Sequence, residues 1–273
     1  MYDTHAHLEL YLETLNLLKP EEHVLSPEAL ETLSAALDGH DWVVQPTVSL
    51  ANYQRVVPLL TPLTKPVYFL LGAHPELVTP EFDPELYLTT LRQEHPKPPD
   101  VVGIGEIGLD YHYSQDPGII TKQKELFRGH IRLALEWDLP IIIHCREAFP
   151  DIFEILDEFP AIHNRFLIHC FTGGTVELTQ VLARGGLVAY GGVSTFKNAR
   201  ELQATIPQVP KTHYVLETDL PYLSPHPKRG QVCAPTYIHY VAEHLATLRQ
   251  EEIPVVWSQS AQNAASFFRK KFA

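Results

Sequence analysis

Eight short apolar runs recur along this chain, each separated from the next by room for a helix, and that rhythm restricts the fold more than any other feature. The runs are MYDTH (1–5), DWVVQPTV (41–48), VYFLLGA (67–73), VVGIGE (101–106), LPIIIHC (139–145), RFLIHC (165–170), GLVAYGG (186–192) and HYVLETD (213–219). Most are continuous rather than alternating, as expected of parallel strands covered by helices on their outer side. Between them lie helical patterns. SPEALETLSAALDG opens with Ser26 placed as an N-cap and Pro27 at the first helical position, and closes near Gly39. TKQKELFRGHIRLALEW repeats apolar positions every three or four residues, at Leu126, Phe127, Ile131 and Leu135. Eight alternations without a linker or a composition break predict one α/β domain over residues 1–273, a (β/α)8 TIM barrel, with an open doubly wound sheet as the alternative. A Pro-rich loop, LPYLSPHPKRG, and two closing helices through Phe268 follow the last strand.

The side chains that can bind a cation fall in one place on this pattern. His5, His7, Glu106, His144, His169 and Asp219 all lie at the carboxyl ends of predicted strands. A barrel gathers those ends on one face, where active sites lie. Residues two apart on an extended segment point the same way, so His5 and His7 can face one ion. By the same parity Cys145 and Cys170, next to His144 and His169, are expected to point outward as small packing residues, the reading also given to Cys233. Taken singly, each polar residue is explained by a packing hydrogen bond or a loop cap. Six on one face would bury much uncompensated polarity at high cost, so they are read together as a cation site.

Residues Gly103 to Gly108 also match the G-x-G-x-x-G template of dinucleotide-binding turns. That template needs a helix starting within the glycines, so that its N-terminus meets the pyrophosphate. Here the turn-rich LDYHYSQDPG follows, and Glu106 would place a negative charge beside the phosphates. The glycines are read instead as letting the backbone pack closely around a presented carboxylate.

A net charge of −12 argues against a basic, sequence-independent grip on nucleic acid, although bound divalent cations would supply positive charge locally. Three cysteines are too few for a disulfide framework or a zinc ribbon and suggest a reducing cytoplasm. No apolar run approaches the ~20 residues of a membrane-spanning helix, and no cleaved leader is expected before MYDTHAH. No exposed apolar stripe stands out, so a compact monomer without a membrane partner is expected.

The blocks DTHAHL, GAHP, GEIGLDY, LPIIIHCREA, HCFTGG and ETDLPYL resemble the signatures of the TatD-type metal-dependent deoxyribonucleases, which belong to the amidohydrolase-like barrels. They occur in the family's order over residues 3–223, and QNAASFF, with Asn263 and Phe267, resembles its closing helix. The resemblance implies two divalent ions, one held by His5, His7 and Asp219, the other by His144 and His169, with Glu106 bridging. Nitrogen and carboxylate donors suit Zn, Mn, Fe or Ni better than Mg, although the family is often described as magnesium-dependent. It further implies a hydrolase in which the ions activate water for in-line attack on a phosphodiester of DNA at 3′ ends, with Glu106 and Asp219 catalytic and Asp219 also relaying the proton.

His74 in GAHP and Arg146, which shares the parity of His144, are candidate substrate contacts, together with Arg229. Asp110, His112 and Tyr222 fall in rim loops and receive no role. Where the family usually carries RGKRNEP, this chain has RGQVCAP: Arg229, Gly230 and Pro235 match, while Gln231, Val232, Cys233 and Ala234 replace the rest. Glu9 stands where the family commonly has Asp. The altered loop leaves room for ester or amide hydrolysis on the same barrel, such as D-aminoacyl-tRNA deacylation with tRNA as partner. The intact ligand set argues against a non-catalytic binding protein.

Overall fold

The computed structural model describes residues 1–94 and 97–269. Eight strands, β1 (Tyr2–Asp3), β2 (Trp42–Gln45), β3 (Val67–Leu71), β4 (Val101–Asp110), β5 (Ile141–Arg146), β6 (Phe166–Ile168), β7 (Leu187–Tyr190) and β8 (Tyr214–Leu216), form one parallel sheet in sequential order. That order has no switch point, which removes the doubly wound alternative. The seam between β8 and β1 is bridged by the Thr4 N–H and hydroxyl, which donate to the Leu216 carbonyl at 3.3 and 2.9 Å. There the Asp3 carboxylate also accepts from the Thr218 amide and hydroxyl. The result is a nearly closed barrel.

Among the described residues ten α-helices surround it: α1 (Leu8–Thr14), α2 (Pro27–Ala36), α3 (Leu50–Leu60), α4 (Pro84–Glu94), α5 (Pro117–Trp137), α6 (Phe149–Glu158), α7 (Thr175–Ala183), α8 (Arg200–Thr205), α9 (Ile238–Arg249) and α10 (Ile253–Phe267). Ser26 caps α2 as its sequence suggests, its hydroxyl accepting from the Ala29 N–H at 3.1 Å. Helix α5 begins earlier than its apolar period implies, because the Asp116 carboxylate caps the amides of Gly118 and Ile119.

Side chains alternate across each strand and divide the core in two. Val43, Ile141, Ile143, Phe166 and Ile168 pack outward against helix residues such as Leu33, Phe127 and Ile152. Trp42, Val44, Leu70, Val102, Ile142, Leu167 and Val215 fill the barrel interior. Phe267 and Phe268, at the end of α10, close this layer from below, and Tyr2 stacks on Trp42 with centroids 4.8 Å apart. Among the described residues no helix is long and apolar enough to cross a membrane.

Strand β4 departs most from the sequence reading. It does not stop at Glu106 but runs to Asp110, and its pairing with β5 slips: Ile104 opposes Ile141, whereas Ile107 opposes Ile143. Three residues on β4 thus match two on β5, a bulge that re-aims Glu106. The glycines make this possible. A Cβ on Gly105 would lie 2.9 Å from Ile142 Cβ, and one on Gly108, whose φ is +141°, would fall 2.0 Å from the His144 carbonyl oxygen. The next helix starts only at Pro117, so the glycine run is strand throughout and cannot cradle a pyrophosphate.

Candidate metal centre

The mouth of the barrel converges on one carboxylate. Glu106 is 3 % exposed, and its two oxygens face different sets of imidazoles. Oε2 lies 3.3 Å from His5 Nε2 and 3.8 Å from His7 Nε2. Oε1 lies 2.7 Å from His169 Nε2, 2.9 Å from His144 Nδ1 and 3.4 Å from His74 Nε2. Asp219 Oδ1 approaches the first set only, at 3.8 Å from His5 Nε2 and 3.7 Å from His7 Nε2. Backbone geometry fixes that meeting, because the Asp219 N–H donates to the His5 carbonyl and the His7 N–H to the Leu220 carbonyl. The six residues singled out from strand ends are therefore gathered in one place.

Burial controls their charge. It pushes His5 down to about 4 and His7 to about 3, and lowers His169 as well, so these rings are neutral and offer lone pairs. His144 is pushed up to about 9: burial works against its charge, but hydrogen bonds to Asp110 and Glu106 outweigh it. Burial also works against the charge of Glu106, yet His169, His74 and His5 keep it well below the usual carboxylate range. Asp219 is raised well above that range, by burial and then by the charge of Glu106.

Several polar atoms here are buried without a hydrogen-bond partner: His5 Nδ1, His7 Nδ1, His169 Nδ1 and Glu217 Oε2. Buried polar groups are normally paired, so a set of orphans around crowded carboxylates calls for a compensating cation. Combinations of His5, His7 and Glu106, and of His74, Glu106 and His144, bring their donor atoms within 4.8 Å of one another. Imidazole nitrogens with carboxylate oxygens and no thiolate fit a divalent ion.

The remaining candidates divide. His74 is not a strand residue, since β3 ends at Leu71, but caps the 3-10 turn that follows and still reaches Glu106. Arg146 lines the cavity above the centre, its guanidinium 5.0 Å from the centroid of the Tyr113 ring. Arg229 lies one ring further out, 3.6 Å over Phe196, which lines the cavity while Arg229 does not. Cys233 is a packing residue as expected, and Cys145 packs in the outer core while also bordering the cavity. Cys170 is not a packing residue: β6 ends at Ile168, the alternation stops, and Cys170, with φ +41°, lines the cavity.

Three functional-looking acids escaped the sequence reading as ligand partners. Asp110 Oδ2 is 2.9 Å from His144 Nε2, so that ring is held at both nitrogens. Glu217, fully buried, accepts from the Cys170 N–H and lies 3.8 Å from His169 Nδ1. Asp3 accepts from the His5 N–H at 3.0 Å. Parity was the available signal. Asp3 stands two before His5, and Glu217 two before Asp219, the same spacing that pairs His5 with His7.

Buried imidazoles meeting buried carboxylates at the carboxyl mouth of a parallel barrel define a class, the hydrolases that work through divalent cations. Residues 2–269 match the family model described as TatD related DNase, and the chain belongs to that family. A Bacillus subtilis relative named as the uncharacterized metal-dependent hydrolase YabD is 34% identical over 269 residues, covering 98% of this chain and 99% of the relative. An Erwinia amylovora relative named 3′-5′ ssDNA/RNA exonuclease TatD is 31% identical over 204 residues, 72% of this chain and 76% of the relative. The crystal structure of the TatD homologue YjjV from Escherichia coli K12 superposes with a TM-score of 0.83 at 25% identity, covering 99% of this chain and 98% of the other.

Proposed function

We propose that this metal-dependent hydrolase removes nucleotides from 3′ ends of single-stranded nucleic acid, with two divalent cations held on either side of Glu106. The carrying observation is the division of its oxygens: Oε2 toward His5 and His7, Oε1 toward His144 and His169. A carboxylate so placed suits a bridge, with Asp219 completing the first set. When bound, such a pair lowers the pKa of a water and neutralises phosphate oxygens. Zn or Mn fits the nitrogen-rich donors better than Mg.

The chain's own groups do the rest. Asp219 Oδ1 faces the centre, and a carboxyl raised by burial is suited to take up a proton there. The cavity, about 760 Å³, is lined by Arg146, the one Arg among its described lining residues, and by the rings of Tyr113, Phe196 and Tyr222. Aromatic faces stack bases without regard to sequence, and a single Arg can hold a terminal phosphate. The RGQVCAP segment supplies no further cation to the cavity: Cys233 is buried in the core. So short a phosphate grip favours action at a chain end over continuous backbone tracking. The relatives named as exonucleases support the same reading.

The test is to load purified protein with Zn²⁺ or Mn²⁺ and offer single-stranded DNA, duplex DNA and D-aminoacyl-tRNA, with EDTA and Asp219→Ala as controls. Release of mononucleotides from 3′ ends, lost with EDTA, is expected. Deacylation without nucleotide release would replace this function with ester hydrolysis, and inactivity on every substrate would overturn it.

A further inference from the structure

Glu217 is fully buried, carries one oxygen without a partner, and is not among the residues assigned to hold the cations. Two rings stand over it. His5 and His169 stack in parallel, with centroids 4.0 Å apart and planes 9° apart. One nitrogen of each ring and one Glu217 oxygen lie within 4.8 Å of one another. Both rings turn Nε2 toward Glu106, at 3.3 and 2.7 Å, and both leave Nδ1 buried without a hydrogen bond. His169 Nδ1 lies 3.8 Å from Glu217 Oε1, and His5 Nδ1 and Glu217 Oε2 are buried unpaired in the same cluster; the two rings and the carboxylate are complementary as soon as each Nδ1 carries its proton.

We infer that Glu217 is a positioning residue that holds His5 and His169 together in the Nδ1–H tautomer, keeping both Nε2 lone pairs free for cations. This rests on the metal centre proposed above. An imidazole that ligates through one nitrogen donates from the other, and an acceptor there fixes the ring's tautomer and orientation. Ligating rings commonly have separate acceptors, whereas here one carboxylate serves two, and those two fall on opposite sides of Glu106. Glu217 Oε1 also accepts from the Cys170 N–H, which anchors the carboxylate to the residue after His169. Asp110 does the corresponding work for His144 from a different strand. Glu217 therefore ties the geometry of the two halves to each other.

The test uses the full chain with histidine imidazoles labelled with ¹⁵N. In the Zn²⁺-loaded protein, His5 and His169 are expected to show protons on Nδ1, and a bare Nδ1 on either would overturn the inference without any variant. Glu217→Gln, similar in shape but able to present an amide N–H, should weaken Zn²⁺ binding about 10- to 100-fold in a chelator competition. Glu217→Asp should recover part of the loss. Unchanged Zn²⁺ affinity in Glu217→Gln would refute the role. So would loss of one Zn²⁺ per chain at unchanged affinity for the rest, which would make Glu217 a ligand instead. Failure of the unaltered protein to take up Zn²⁺ would refute the metal centre itself, and the role of Glu217 with it.

Discussion

The floor and the mouth of this barrel are built from the same strands, one layer of side chains apart, and they are opposites chemically. On β5 the inward residue Ile142 is followed two positions later by His144; on β6, Leu167 is followed by His169; beyond β8, Val215 by Glu217 and then Asp219. Two residues of strand, about 6.6 Å, separate close-packed hydrocarbon from buried unpaired polar atoms. The floor gains free energy from its burial. The mouth loses it, because desolvated imidazoles and carboxyls have exchanged water for one another. Stability is thus concentrated in one layer so that the next can be poised to bind.

The largest effect that can test this division is at Glu106. Glu106→Ala should cut nuclease turnover about 10⁴-fold or more, because the groups around it act as a unit. The packing below is untouched, so the thermal midpoint should move far less than turnover, by no more than the loss of the carboxylate's contacts with His144 and His169. A collapse in thermal stability, read by circular dichroism, would show that mouth and floor share one structural role.

The complementary variant is Leu167→Ala, at a fully buried floor position. It should cost about 2–5 kcal/mol in urea unfolding, with turnover per folded molecule unchanged. Turnover falling further than the folded fraction would mean that His169, two residues along, depends on the packing beneath it.

Much of this arrangement was legible in the order of residues, and the exceptions have physical causes. Parallel strands buried on both sides cannot alternate, so they appear as apolar runs, and strand ends in a barrel must converge; that was enough to gather His5, His7, Glu106, His144, His169 and Asp219. Strand length was hidden beyond the glycines. Gly105 and Gly108 do let the backbone pack closely around Glu106, as their sequence suggests, but the turn-rich residues after them hid that β4 continues along β5 to Asp110. Asp110 was therefore left in a rim loop when it was a partner of His144. Cys170 failed for the reverse reason, since β6 is shorter than its apolar run and parity does not hold past its end. Glu217 and Asp3 were readable by parity, but carboxylates that serve other ligands lack a spacing of their own.

A smaller effect probes the outer rim. Tyr222 is 53 % exposed and lines the cavity at the mouth. If it stacks a base, Tyr222→Ala removes about 1–3 kcal/mol of binding. KM for single-stranded DNA should rise roughly 5- to 140-fold, by the ~1.4 kcal/mol per tenfold conversion, with kcat and the unfolding midpoint nearly unchanged. Equal losses in kcat would place the ring in the reaction rather than in binding.

The smallest effect concerns a histidine in neither layer. His130, on α5, is fully buried with Nδ1 2.9 Å from the Leu126 carbonyl and Nε2 unpaired. Burial, then the charge of Arg92, outweighs that hydrogen bond and brings its pKa from 6.5 down to about 4. As pH falls below 6.5 the unfolded chain takes up a proton that the fold refuses until about 4, so stability rises with pH across that window. The slope from this one site is at most ~1.4 kcal/mol per pH unit, and it vanishes above 6.5. His130→Gln should remove that slope from urea unfolding between pH 4 and 6.5, equally with Zn²⁺ present and with EDTA. The mouth imidazoles, by contrast, should show a pH dependence that Zn²⁺ alters, because a cation competes with their protons. A His130→Gln effect that changed with Zn²⁺ would mean that the helical shell senses the mouth, and that the barrel is less partitioned than its packing implies.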